Sequence, residues 1–279
     1  MKGTVRARVN DIVLHYELTG RGPLVTLVHG AGGTSDDWRE QVPVFAQRHR
    51  VLTFDLRGHG QSDRPEDGYT LDALADDLAA LLDHVDGSWT YLVGDSLGGA
   101  IAATFAARVP ERVPALVLVS STGAPPTPPP SEQLLLARGI LYHEQGRHEE
   151  AVRFLRQAAA NNAFSAGFIQ RHPEVFERYL QVRVDHTTSY ARLVRSLFRN
   201  PATIDAARVR CPTLLVVGEH DAWLPEATAR TAARAFPNAV LVTLPAGHAV
   251  PLERPDLFNS LVLDFLDAVE AGRPFTPPF

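Results

Sequence analysis

The first part of the chain alternates between short apolar runs and turn signals. "LVTLVHG" (24–30) and "RVLTFDLRG" (50–58) are nearly continuous apolar runs that end at glycine. Such runs are typical of strands that are covered on both faces, as in a mostly parallel sheet. "IVLHYEL" (12–18) instead alternates apolar and polar positions, which predicts an antiparallel strand. Residues 70–85 repeat leucine at helical spacing and are predicted to form a helix.

Two further apolar runs, "TYLVGDS" and "ALVLVSS", continue this alternation before it is interrupted. A proline-rich linker, "TGAPPTPPPS" (122–131), opens a long stretch of helical pattern without a clear strand. Alternation resumes at "PTLLVVGEHD" (212–221), so the pattern predicts an α/β core interrupted by a helical insertion. The predicted boundaries are 1–122 for the first part of the core, 123–208 for the helical cap and 209–279 for the second part of the core.

Composition and charge narrow the classes of function. The 279-residue chain has a formal net charge of −5 without a long block of one sign, which gives no reason to expect nucleic acid or a membrane as partner. The start lacks the apolar core of a signal peptide, and Cys211 is the single cysteine, so a cytoplasmic location is expected. Lys2 is the single lysine, which argues against lysine-dependent cofactors. We expect neither a cofactor nor a metal.

The segment "VGDSLGG" (93–99) places two candidate nucleophiles side by side, Asp95 and Ser96. A nucleophile at a tight strand-to-helix turn needs small residues two positions away on either side, so that strand and helix can approach each other. Around Ser96 these positions are Gly94 and Gly98, whereas around Asp95 both are bulky. The sequence therefore predicts Ser96 at the tip of the turn and a structural role for Asp95.

A serine nucleophile needs a general base, and the base needs a carboxylate that orients it. His248 stands in a loop after the last predicted strand, and Asp221 lies just past the strand before it. Both positions are at the carboxyl edge of the sheet, where open α/β sheets bind their ligands. Glu219 is the alternative acid in the same turn. The predicted catalytic residues are thus Ser96, Asp221 and His248.

Acyl transfer also needs N–H donors for the oxyanion that forms in the transition state. The candidate donors are the backbone amides of Ala31 and Leu97. Ala31 lies in the glycine-rich turn "VHGAGG" (28–33), and Leu97 follows the predicted nucleophile at the start of a helix.

Five segments in this order make the chain resemble the α/β-hydrolase superfamily: "HGAGG", "DLRGHGQSD", "VGDSLGG", "GEHDAWLP" and "AGHAVPLERP". The resemblance implies a mostly parallel α/β-hydrolase sheet with helices on both faces and a helical cap inserted after the sixth strand. In similar enzymes "DLRGHGQSD" is a structural loop near the site. His29, Arg57 and His59 are therefore expected to hold loops in place.

The resemblance implies a serine hydrolase that cleaves a carboxylic ester or a lactone through an acyl-enzyme. Carbon–carbon hydrolases of aromatic degradation share the capped design, but they typically carry Trp directly after the catalytic histidine, where this chain has Ala249. Epoxide hydrolases and haloalkane dehalogenases need a carboxylate at the tip that Ser96 occupies. An alternative from a different class is a non-hydrolytic ligand-binding or biosynthetic protein on a hydrolase scaffold.

The cap is expected to select the substrate, a small-molecule ester or lactone. Its predicted substrate contacts are Phe164, Phe168 and Tyr190. His186 and Arg192 are alternative candidates for contact with a polar substrate end, although arginine is common throughout the chain. The sequence allows a homodimer but does not fix the oligomeric state.

Overall fold

A computed structural model of the chain describes residues 5–125, 130–200 and 202–278. Lys2 and residues 126–129 of the predicted linker lie outside these ranges. The strands of the described residues are β1 (Val5–Val9), β2 (Ile12–Gly20), β3 (Leu24–Val28), β4 (Arg50–Phe54), β5 (Tyr91–Asp95), β6 (Ala115–Val119), β7 (Thr213–Gly218) and β8 (Ala239–Leu244).

The α-helices are α1 (Val42–Phe45), α2 (Leu71–His84), α3 (Leu97–Arg108), α4 (Pro130–Glu144), α5 (His148–Asn162), α6 (Ala166–Arg171), α7 (Pro173–Asp185), α8 (Thr187–Arg199), α9 (Glu226–Ala233), α10 (Val250–Glu253) and α11 (Pro255–Glu270). Three short 3₁₀-helices span Ser35–Trp38, Pro110–Arg112 and Ala206–Arg208.

The eight strands form one sheet in the order β1-β2-β4-β3-β5-β6-β7-β8. β2 pairs antiparallel with both β1 and β4, and every pairing from β4 to β8 is parallel. The predicted fold class, a mostly parallel sheet with a cap after the sixth strand, is confirmed. β1 was not predicted from the pattern of apolar residues.

The sheet has a hydrophobic core on each face, because consecutive side chains of a strand point to opposite sides. In β6, Leu116 and Leu118 pack into the core that contains α2 and α3, whereas Val117 and Val119 pack into the core that contains α11. β3, β5, β6 and β7 therefore need apolar residues at nearly every position, which is why they read as continuous runs.

The cap consists of α4 to α8, which lie between β6 and β7 in the chain. An aromatic cluster of Phe164, Phe168 and Phe176 packs against Ala249 and Leu252, which follow β8. This cluster joins the cap to the core beside the loop that carries His248. Within the described residues, none of the helices has both the length and the apolar character needed to cross a bilayer.

Candidate active site

Ser96 lies at a sharp turn between the end of β5 and the start of α3. Its backbone angles are φ 51° and ψ −111°, a left-handed conformation that residues with a side chain rarely adopt. A Cβ atom at Gly94 would lie 2.3 Å from the carbonyl oxygen of Gly98, and one at Gly98 would lie 2.1 Å from that of Val28. Only glycine at both positions allows strand and helix to approach this closely.

His248 links Ser96 to Asp221 through hydrogen bonds. The Nε2 atom of His248 lies 3.1 Å from Oγ of Ser96, and its Nδ1 atom lies 2.8 Å from Oδ2 of Asp221. The other carboxylate oxygen of Asp221 accepts the backbone N–H groups of Trp223 and Leu224, both at 2.9 Å. These four contacts fix the orientation of the carboxylate and of the imidazole.

The structure also separates the two acids of the turn after β7. Asp221 is buried beside His248, whereas Glu219 is exposed to solvent. The structure thus brings Ser96, His248 and Asp221 together and leaves Glu219 outside the site.

Neighbouring charges determine the basicity of His248. Burial by itself lowers the pKa of the imidazole, but the carboxylates of Asp221 and Asp95 outweigh burial and hold the pKa above its ordinary value of 6.5. A base with a raised pKa accepts a proton from serine more readily and must be deprotonated to act.

Hydrogen bonds to the cap and to Ser120 hold the loop of His248. The backbone N–H of His248 donates to the carbonyl of Asn162 at 3.2 Å, and that of Ala249 donates to Ala163 at 2.7 Å. The carbonyl of His248 accepts the hydroxyl of Ser120 at 2.7 Å. The cap is therefore in direct backbone contact with the histidine that faces the nucleophile.

Two buried histidines hold the glycine-rich loop that contains Ala31. Nε2 of His29 accepts the backbone N–H of Leu56 at 3.0 Å, and Nε2 of His59 accepts that of Gly32 at 3.0 Å. Burial lowers the pKa of His59 to about 3, so its imidazole remains neutral and can accept this bond. These contacts are structural and give both histidines the role of holding loops.

Arg57 likewise acts within the protein scaffold. Its guanidinium donates to both carboxylate oxygens of Asp77, at 2.6 and 2.8 Å. A third bond, at 3.0 Å, reaches the carbonyl of Gly68. Arg57 thus ties its loop to α2 through Asp77.

A cavity of about 80 Å³, which we call the catalytic cavity, is lined by Ser96. Its walls include Ala31, Ser96 and His248 from the core and Tyr190 from the cap. Leu97, the other predicted oxyanion donor, is the first residue of α3, where backbone N–H groups have no partner within the helix.

The polar end of this cavity contains two charged residues, Asp95 and Arg183. Arg183 donates to Asp37 at 3.1 Å and lies over the ring of Tyr179, with its guanidinium carbon 3.3 Å from the ring centroid. Sequence reasoning missed Arg183, because nothing in the pattern distinguishes it from the many other arginines of the cap.

Burial raises the pKa of Asp95 to about 7, and the carboxylates of Asp37 and Asp221 act in the same direction. Oδ1 of Asp95 is buried and has no hydrogen-bond partner among the described residues. Asp95 therefore presents a carboxyl group to the cavity next to the nucleophile.

The predicted cap contacts divide into two groups. Tyr190 lines the cavity, whereas Phe164 and Phe168 do not appear among its described walls and instead pack in the cap's aromatic cluster. His186 and Arg192 are not among the described walls of the cavity either. His186 accepts the backbone N–H of Gly60 at 2.8 Å, and Arg192 donates to the backbone carbonyl of Pro65 at 3.1 Å. Their partners lie in the loop that follows β4.

In the described part of the chain, no group of three or more His, Cys, Asp and Glu side chains is arranged to hold a metal ion. The side chains that line the cavity include the hydroxyl of Ser96, the imidazole of His248, the carboxyl group of Asp95 and the guanidinium of Arg183.

Known proteins resemble this chain along most of its length. Residues 23–255 match the model of the alpha/beta hydrolase fold family. The 3-oxoadipate enol-lactonase 2 of Acinetobacter baylyi is 29% identical over 264 residues, which cover 94% of this chain and 95% of that protein.

Two solved structures are similar in fold. An enol-lactonase from Burkholderia xenovorans LB400 has a TM-score of 0.84 and 28% identity, and the match covers 94% of this chain and all (100%) of that one. A thermophilic esterase from Thermogutta terrifontis has a TM-score of 0.83 and 28% identity, and the match covers 96% of this chain and 99% of that one. The family match spans well over half of the chain, and the chain is therefore a hydrolase that belongs to the α/β-hydrolase fold family.

Proposed function

We propose that the protein is a serine hydrolase that cleaves a carboxylic ester or a lactone through an acyl-enzyme. The observation that carries this proposal is the continuous chain of hydrogen bonds from Ser96 through His248 to Asp221 at the cavity. The lactonase and esterase named among the similar proteins act in the same class of reaction.

In the first step, Nε2 of His248 accepts the hydroxyl proton of Ser96 as Oγ attacks the substrate carbonyl carbon. The carbonyl oxygen becomes an oxyanion, which the backbone N–H groups of Ala31 and Leu97 stabilise, each by roughly 3 kcal/mol. Asp221 stabilises the imidazolium that has formed. His248 then donates its proton to the alcohol oxygen, the carbon–oxygen bond breaks, and the acyl group stays on Ser96.

In the second step, water attacks the acyl-enzyme while His248 accepts its proton. The imidazolium returns that proton to Oγ of Ser96, which releases the carboxylic acid and restores the enzyme. For a lactone, the alcohol and the acid leave as one molecule.

The alternatives fit the cavity less well. Epoxide hydrolases and haloalkane dehalogenases need a carboxylate at the tip of the turn. Asp95 could supply a carboxylate, but it is the last residue of β5 and lies before the tip. A carbon–carbon hydrolase is disfavoured by Ala249 after His248, where the resemblance to that class leads us to expect Trp.

The direct test is an assay of hydrolysis with phenyl acetate and a simple lactone as substrates. We expect turnover by the wild type and a loss of kcat on the order of 10⁴-fold or more in Ser96→Ala. Ser121→Ala is the matched control, because this serine is also buried, follows the neighbouring strand β6 and, among the described residues, accepts one hydrogen bond, from the N–H of Gly123. Equal turnover by wild type and Ser96→Ala would contradict the proposal.

A further inference from the structure

A second, larger cavity adjoins the catalytic cavity. It has a volume of about 930 Å³ and lies between α4, α8 and the core, and we call it the apolar chamber. Ala31, Leu136, Tyr190 and Trp223 line both cavities, so they form the junction between them. The volume falls in the range of about 300–1,000 Å³ that is usual for small-molecule sites.

The chamber is lined mainly by aliphatic side chains of the two cap helices and of the core. Its aliphatic walls include Leu136, Ile140, Leu193, Val194, Leu197 and, from the core, Leu97. Two charged residues in its lining, Glu144 and Arg195, are paired with each other at 2.6 Å across α4 and α8. Their charges are therefore satisfied within the protein, and the chamber offers an incoming molecule mainly hydrocarbon contacts.

The outer part of the chamber carries exposed leucines. Leu134 and Leu141 of α4 are 54% and 50% exposed, and both line the chamber. They are two of only four large apolar side chains that are exposed in the described part of the chain. An apolar surface that continues from solvent into an apolar cavity marks a binding site for a hydrocarbon group.

The positions of His248 and Leu97 indicate which part of an ester lies in the chamber. His248 must reach the leaving alcohol oxygen, and it lines the catalytic cavity but not the apolar chamber. Leu97 follows the nucleophile and lines only the chamber. With the carbonyl carbon at Oγ of Ser96, the alcohol therefore lies towards the small cavity of about 80 Å³ with its polar groups, and the acyl chain points towards the chamber.

Building on the proposed ester hydrolysis, we infer that the apolar chamber binds the hydrocarbon chain of the acyl group. The substrate class is then esters in which a medium-length linear acyl chain is joined to a small alcohol. The hydrophobic effect favours the burial of each further methylene group, so the chamber favours longer chains until it is filled.

The test is to measure the hydrolysis of methyl acetate, methyl butanoate, methyl octanoate and methyl dodecanoate. The rate is measured from the protons that the released acid gives up. Methyl esters keep the alcohol small, so that the acyl chain alone changes. We expect kcat/KM for octanoate to exceed that for acetate on the order of a hundredfold in the wild type. Propyl and octyl acetate are measured alongside, and no comparable gain is expected from lengthening the alcohol.

A filling substitution distinguishes the chamber from a general preference for apolar esters. Val194→Trp places an indole in the chamber from α8, and Arg199→Trp places one on the same helix at an exposed position outside the chamber. We expect Val194→Trp to reduce the octanoate-to-acetate ratio at least about tenfold and Arg199→Trp to leave it unchanged. Ala137→Trp, at an exposed position in the chamber lining, is a second filling variant in case Val194→Trp does not fold.

The outcomes separate this inference from the proposed function. If the wild type hydrolyses neither ester nor lactone, and Ser96 reacts with no acylating probe, the proposed function itself is wrong. If esters are hydrolysed but the octanoate-to-acetate ratio of kcat/KM is near one, the chamber does not bind the acyl chain. The same conclusion follows if both filling variants keep the wild-type ratio. A preference that follows the alcohol chain would overturn the assignment of the acyl group to the chamber.

Discussion

At the scale of single residues, Asp95 and Ser96 are chain neighbours with different environments. Ser96 stands at the tip of the turn in a left-handed conformation, 3.1 Å from His248. Asp95 is the last residue of β5 and presents a buried carboxyl group to the polar end of the cavity. Because the ionised form of Asp95 adds to the larger effect of Asp221 in raising the pKa of His248, we assign Asp95 the role of a residue that tunes the basicity of His248.

The acidic limb of the pH–rate profile reports the pKa of His248. Burial opposes the charged imidazole but Asp221 and Asp95 together favour it, so the pKa lies above 6.5. Activity depends on neutral His248 and is therefore lost as the pH falls through that raised value. We expect the midpoint of the acidic limb of kcat/KM above pH 6.5, and a profile that is flat through this range would speak against His248 as the base.

Asp95, whose own pKa is raised to about 7, raises the pKa of His248 in its ionised form, and Asp95→Asn removes that charge. The pKa of His248 should fall, so the acidic limb should move to lower pH while the alkaline plateau remains. Asp36→Asn is the matched control, because Asp36 is partly exposed and pairs with Arg39 and Arg178 at the surface. An acidic limb that stays in place in Asp95→Asn would mean that Asp95 does not act through His248.

At the scale of elements, the junction of β5 and α3 depends on glycine. Gly98 lets α3 pass close to β3, and Gly99 approaches Ser121 at the end of β6, where a Cβ atom would lie 2.5 Å from the Ser121 hydroxyl oxygen. The neighbouring strands constrain the first turn of α3 from both sides. This packing holds the turn of Ser96 in its left-handed conformation.

Gly98→Ala should destabilise the protein strongly, because its Cβ atom would meet the backbone of Val28 at 2.1 Å, and backbone cannot move aside as a side chain can. We expect a loss of about 3 kcal/mol in the free energy of unfolding, measured by urea denaturation. Gly167→Ala in α6 is the control, since its nearest contact is the flexible end of Arg171 at 3.0 Å. Equal stability of the two variants would contradict this account of the turn.

Local patterns in the sequence predict these elements because their constraints are local. The small residues around Ser96 and the apolar runs of β5 and β6 follow from short-range geometry. The direction of a cap side chain depends instead on how several amphipathic helices pack. For this reason the sequence could not separate Tyr190, which reaches the cavity, from Phe164, which packs within the cap, and it missed Arg183 entirely.

At the scale of the whole molecule, one carboxylate ties the cap to the loop of His248. Oε2 of Glu253 accepts the backbone N–H of Ser165 in the cap at 2.9 Å and that of Gly247 at 3.0 Å. Its other oxygen accepts the hydroxyl of Ser165. The position of His248 is thus coupled to the position of the cap.

Glu253→Gln replaces the charged acceptor by a neutral amide of similar shape. We expect the free energy of unfolding to fall by about 2 kcal/mol, because hydrogen bonds to a charged group are stronger than neutral ones, and kcat to fall with it. Glu226→Gln is the control, as Glu226 forms an exposed pair with Arg230 within α9 that is worth a few tenths of a kcal/mol. Unchanged kcat and stability in Glu253→Gln would show that the cap and the loop of His248 are not coupled in this way.

The most direct test of the central claim is labelling with a fluorophosphonate probe, followed by mass spectrometry of the labelled peptide. A serine that His248 activates attacks the phosphorus atom and retains the adduct. We predict one adduct, on Ser96, that forms at the wild-type rate in Ser121→Ala and is lost in His248→Ala. Folded wild-type protein without an adduct, or an adduct on another residue, would contradict the account.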